Sequence, residues 1–150
     1  MKYPGCILEF TRLRNLDLIR AYRYVMSLSS VLGHKSIGEM IVELPSARFW
    51  ISEERATVVV SQLARGKNPL AKMRPTKREM FMEIFSRYRR LAPAMPDLRL
   101  SEIVALIINS PAPKFYMAPR TASEIIYRIK SGFYEQYCDQ ADNRRKRPKK

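Results

Sequence analysis

The stretch 45-PSARFWISEERATVVVSQLARG-66 returns without gaps as 111-PAPKFYMAPRTASEIIYRIKSG-132. Pro45/Pro111, Phe49/Phe115, Ala56/Ala122 and Gly66/Gly132 are identical. Arg48/Lys114, Trp50/Tyr116, Ile51/Met117, Val59/Ile125, Val60/Ile126 and Leu63/Ile129 keep their chemical type. The same 66-residue offset pairs Ile37 with Ile103, Met40 with Leu106, Ile41 with Ile107, and Tyr22-Arg23 with Tyr88-Arg89. Matches confined to positions a core would use mark an internal repeat, and a repeat governs how the whole chain is read.

Each copy reads as three helices. In the third, Ala56, Val59, Val60 and Leu63 form one stripe, and Ala122, Ile125, Ile126 and Ile129 form its counterpart. Glu53-Glu54 complements the positive end of the first of these helices, and Pro119 suits the first turn of the second. Gly66 and Gly132 are expected as left-handed caps. The second helices start near Ser36, with Glu39 at capping-box spacing, and near Ser101. They would bury Ile37, Met40, Ile41 and Leu44, and Ile103, Leu106 and Ile107, before stopping at Pro45 or Pro111. For the first helices, Leu18, Ile19, Tyr22 and Met26 predict a span of roughly 12–30. Thr76 with Glu79, then Phe81, Ile84, Phe85 and Tyr88, predict one near 77–92. The expected fold is therefore mainly α: two tandem trihelical, helix-turn-helix-like repeats, at 1–70 and 71–132, with a basic, partly disordered extension at 133–150.

The segments Pro45–Ser52 and Pro111–Ala118 link the second and third helices. Their aromatic and β-branched content suits an extended stretch, with the option of one short strand per repeat and pairing between the two. Phe49 and Phe115 are expected in the core. Trp50 and Tyr116 are either packed or free to stack on bases.

Charge narrows the partner class. The chain of 150 residues carries 28 Lys+Arg against 14 Asp+Glu, net +14, with an isoelectric point near 10.2. The excess is spread: nine basic and six acidic residues over 1–66, three and none over 67–76, ten and five over 77–132, six and three over 133–150. Such a molecule attracts polyanions in a salt-dependent way. Nucleic acid is the first expectation, DNA ahead of RNA, and an acidic protein partner the second. The outward faces of the third helices offer Arg55, Thr57, Ser61, Gln62 and Arg65, and Arg120, Thr121, Ser123, Tyr127, Arg128 and Lys130. Arg and Gln can read base edges, while Lys, Ser, Thr and Tyr hold phosphates. Arg48 and Lys114 lie beside the aromatic pairs. Lys67, Lys72 and Arg74 of the linker, and Arg144, Arg145, Lys146 and Arg147 of the tail, suit nonspecific phosphate grips. The eight-residue connection is longer than a helix-turn-helix normally uses.

Other chemistry finds little support. One histidine, His34, cannot build a two-histidine metal site or a zinc finger. No phosphate-cradling glycine loop occurs. Cys6 and Cys138 have no neighbouring base to activate them and no disulfide framework around them. Neither enzyme activity nor a cofactor is expected. No apolar run approaches the roughly 18 residues of a membrane span, and Met1–Cys6 lacks a signal-peptide apolar region, so a cytoplasmic protein with no membrane partner is expected.

The strings PSARFWISEERA, KMRPTKREMF and PAPKFYMAPRTA resemble small basic uncharacterised proteins of Bacteroides-type bacteria and their mobile elements, over roughly 3–132. The resemblance implies a bacterial or mobile-element setting and carries over no functional residue. The expected role is a non-catalytic, regulatory or architectural nucleic-acid-binding protein. The alternatives are a scaffold subunit of a phage or mobile-element assembly and an accessory, nucleic-acid-holding subunit of a larger enzyme.

Overall fold

In the computed structural model, residues 4–28 and 36–132 are described, and they form six α-helices and no strand. The helices are α1 (Pro4–Ser27), α2 (Ile37–Glu43), α3 (Glu53–Ala64), α4 (Pro75–Leu91), α5 (Leu100–Ile108) and α6 (Pro119–Lys130), with a 3-10 turn at Ala92–Ala94. His34, Cys138 and the 144–147 cations lie outside the described residues.

Helix ends follow local chemistry. Ser52 caps α3 by accepting the Arg55 N–H on its hydroxyl at 3.2 Å, and Ser36 accepts from Glu39 N–H in the same way. Gly66 and Gly132 sit at φ +79° and +78°, left-handed as expected. Their amides close on the carbonyls of Leu63 and Ile129. The start of α4 differs from the Thr76–Glu79 expectation. Pro75 holds Arg74 extended (φ −63°, ψ 151°) and takes the first helical position itself, because proline disfavours helical geometry in the residue before it. α1 likewise begins at a proline, Pro4, well ahead of the predicted residue 12.

The described chain divides into two compact units. One draws on Met1–Ile41 and Pro119–Lys150, the other on Val42–Ala118. The first unit thus combines α1 and most of α2 with α6; the second contains α3, α4 and α5.

In the first unit α1 packs along α6. Leu18, Ala21 and Val25 are buried, as are Ile41, Ala122, Ile125 and Ile126. Asp17 is buried too, and its carboxylate accepts from Arg20 at 2.7 Å. Gly38 is placed where a Cβ would overlap Pro119 O and Ser123 Oγ, so α2 approaches the start of α6 closely only because this residue has no side chain.

The second unit is built on a continuous core of Phe49, Val59, Val60, Phe81, Ile84 and Ile107 with their neighbours, where α3 packs on α5 and α4. α5 buries two adjacent i,i+4 rows, Ile103/Ile107 and Val104/Ile108. That rotation leaves Leu106, expected inside, 53% exposed. Ile37 and Met26 are also exposed, against expectation.

Between the helices, Ser46 and Ala112 exchange both backbone hydrogen bonds, at 3.0 and 3.1 Å, in a single antiparallel bridge. Phe49 N–H donates to Ile108 O, and Phe115 N–H donates to Val42 O. Every one of these hydrogen bonds maps onto its counterpart by the 66-residue offset. The optional strands stop at this one bridge.

Candidate nucleic-acid interface

The cations expected to contact nucleic acid fall into three groups. On the second unit, Arg55 and Arg65 of α3 are exposed, and Gln62 is half-buried between them. Lys67, Lys72 and Arg74 follow, all exposed, on the connection from α3 to α4. Among the described residues no acidic side chain pairs with any of these five cations. Uncompensated charge held in the open is what a phosphate contact requires.

Two acids do lie on α3. Glu53 and Glu54 occupy its first turn, where they complement the helix dipole, and Glu53 Oε1 accepts from Asn109 Nδ2 at 3.3 Å. They sit at the opposite end of the helix from Arg65. Val58 also faces out, 48% exposed, one turn beyond Arg55 and one turn short of Gln62. It lies off the Ala56, Val59, Val60 and Leu63 stripe, and the 66-residue offset pairs it with Glu124. An apolar group flanked by Arg and Gln can meet a thymine methyl in a major groove.

Arg48 and Lys114 are engaged internally. The Arg48 guanidinium donates to the carbonyls of Phe49 and Ile51, both at 3.1 Å, and lies 5.2 Å from the Trp50 ring centre. Burial lowers its pKa from the usual guanidinium value, and Glu53 partly opposes the shift. Lys114 pairs with Glu79 and lies over Tyr116. The aromatic faces offered to bases are occupied as well. Tyr116 stacks on buried Phe49 (5.8 Å, 13°), and Trp50 is covered by Arg48. Phe49 and Phe115 are in the core, as expected.

On the first unit Arg120 is exposed and pairs with Glu124 one turn on, at 3.2 Å. Arg128 is exposed. Lys130 donates to the Tyr22 hydroxyl at 2.8 Å and caps its ring. Tyr127 is 74% exposed between these cations.

Among the described residues no group of three or more His, Cys, Asp or Glu side chains could hold a metal ion, and no helix is long and apolar enough to cross a membrane. Comparison with family models, curated proteins and solved structures gives no match.

Proposed function

We propose that this chain binds nucleic acid without catalysis, with duplex DNA as the favoured partner and a regulatory or architectural role in a bacterial mobile-element or phage setting. One observation carries it: Arg55, Arg65, Lys67, Lys72 and Arg74 stand exposed on α3 and the following connection, without acidic partners among the described residues. Phosphates supply the affinity, and Arg55, Gln62 and Arg65, with Val58 among them, supply what sequence preference there is.

The finer architecture belongs to the same proposal. α1–α3 and α4–α6 are two copies of one helix-turn-helix-like unit, and α3 and α6 are the paired readers. α3 and α6 support this: each has 12 residues, and their starts are 66 positions apart. The paired backbone hydrogen bonds at Ser46/Ala112 and Phe49/Phe115 support it too.

Competition binding against a random-sequence duplex pool tests it. Replacing Arg55, Gln62 and Arg65 together by Ala should leave the melting curve nearly unchanged. The discrimination between selected and random duplexes should fall by about 1–3 kcal/mol for each bidentate pairing to a base edge that disappears. Unchanged affinity and unchanged preference would remove α3 from the interface.

A further inference from the structure

A groove of about 660 Å3 runs along α4 in the second unit, away from the bridge segments. Its floor is Leu63 of α3, Leu70 of the connection, and Met82 and Phe85 of α4. Its rim holds Arg78, Arg89 and Arg90, and among the described residues no acidic side chain lines it. The order along the helix matters. Arg78, Met82, Phe85 and Arg89 fall at i, i+4, i+7 and i+11, so cations bracket an apolar middle over about three turns, or ~16 Å. Met82 is 59% exposed although its neighbours Met80, Phe81 and Ile84 are buried.

We propose that this groove docks an acidic amphipathic helix of a partner protein, with apolar side chains on Met82, Leu63 and Phe85 and carboxylates on Arg78, Arg89 and Arg90. Helix-in-groove recognition lays the apolar face of an incoming helix into an apolar groove, and methionine adapts to the shape of the incoming side chain. Arginine is suited to clamping carboxylates at such a rim. Nucleobases fit the floor less well. Its one aromatic ring, Phe85, stacks on Tyr88 at 6.3 Å, and Arg89 lies over it at 5.7 Å. Both contacts compete with a stacking base. The chain's own segment 133–150 has a net positive charge and would be repelled by the three arginines. This docking does not depend on nucleic-acid binding, whose sequence preference rests on Arg55, Gln62 and Arg65 and whose phosphate grip rests on Lys67, Lys72 and Arg74, none of which lines the groove.

The test is fluorescence anisotropy on the full chain. The probe is a fluorescein-labelled helical peptide of roughly 15 residues, three to four turns, with Leu at helical stripe spacing and Glu on the flanks. A scrambled peptide of identical composition and a version with Lys for Glu serve as controls. The Leu/Glu helix should bind at least about tenfold more tightly than the scrambled peptide, and the Lys version should not bind. Met82→Asn keeps the charge and sits at an exposed position, so it should leave the melt unchanged and erase most of that tenfold preference, a loss of about 1.4 kcal/mol. Arg90→Gln should weaken binding of the Leu/Glu helix and leave the scrambled peptide nearly unaffected. Equal binding of the helical and scrambled peptides would overturn the proposal, because charge alone would then explain both. So would a preference that survives Met82→Asn. Loss of single-stranded oligonucleotide binding in Met82→Asn, with peptide binding intact, would overturn it in favour of nucleic acid. The Arg55/Gln62/Arg65 variant should keep peptide binding, which separates failure here from failure of the duplex interface.

Discussion

Two residues show how a single atom sets the behaviour of its unit. Gly38 lies in α2, where alanine is ordinarily the better helix former by up to about 1 kcal/mol. Here the added methyl would overlap Pro119 O, a backbone atom that cannot rotate aside, and Ser123 Oγ. Overpacking costs about 1–3 kcal/mol, so the clash outweighs the propensity gain, and Gly38→Ala should lower the melting temperature. A raised melting temperature would mean that α2 and α6 do not approach this closely. Tyr116 offers a second check. It is a left-handed non-glycine residue, φ +53°, and burial, aided by Glu83, pushes its phenol up to about 12 from 10.0. A raised phenol pKa favours the neutral folded form. Its contribution to stability is therefore full below pH 10 and is lost as pH rises through 12. Spectrophotometric titration should show the Tyr116 phenol ionising late, and Tyr116→Phe should remove that late step.

The elements were legible where local chemistry dictates them. Ser52, Pro119, Gly66 and Gly132 mark the third helices with their own side chains or lack of them, and the structure starts α3 and α6 at the expected residues. The α4 start departs from its capping signal because two signals compete at Arg74–Glu79. Thr76 and Glu79 have capping-box spacing, but the proline constraint on Arg74 is steric and decides the boundary, and Glu79 turns to Lys114 instead. In the candidate interface, charge pointed to the linker cations, and Lys67, Lys72 and Arg74 are exposed. It could not show that Arg48 would turn back onto its own carbonyls, because that depends on the path of residues 48–51. The linker also yields an element-scale prediction. Replacing Lys67, Lys72 and Arg74 by Ala should weaken binding to all duplexes about equally. It should also flatten log K against log salt by about 0.9 for each phosphate no longer neutralised. Selective weakening on one sequence, with an unchanged slope, would mean that these residues read bases.

At the scale of the molecule, the proposed repeat does not by itself say which helices pack together, and the reason is physical. A 66-residue offset states which residues are equivalent; it does not state which copy's stripe each one faces. The α3 stripe of Ala56, Val59 and Val60 is as apolar as its α6 counterpart, and α2 and α5 carry related stripes, so hydrophobic pattern alone permits either pairing. The structure gathers α3 with α4 and α5, and α6 with α1. This grouping predicts how fragments behave. A fragment of residues 1–70 retains α1, α2 and α3, yet α3 is stripped of the Phe81, Ile84 and Ile107 surfaces that cover Val59 and Val60, and α1 is stripped of α6. Residues 71–150 suffer the complementary exposure. Exposing several core aliphatic side chains, each worth about 1.5–3 kcal/mol when buried, exceeds the typical net stability of a small domain. Each fragment alone should therefore lack a cooperative thermal transition by circular dichroism, and mixing the two should restore one. Residues 42–118, which hold the whole core from Phe49 to Ala112, should melt cooperatively by themselves. A cooperative melt of 1–70 in isolation would show that each copy folds on its own helices, and the grouping of α3 with α4 and α5 would have to be abandoned.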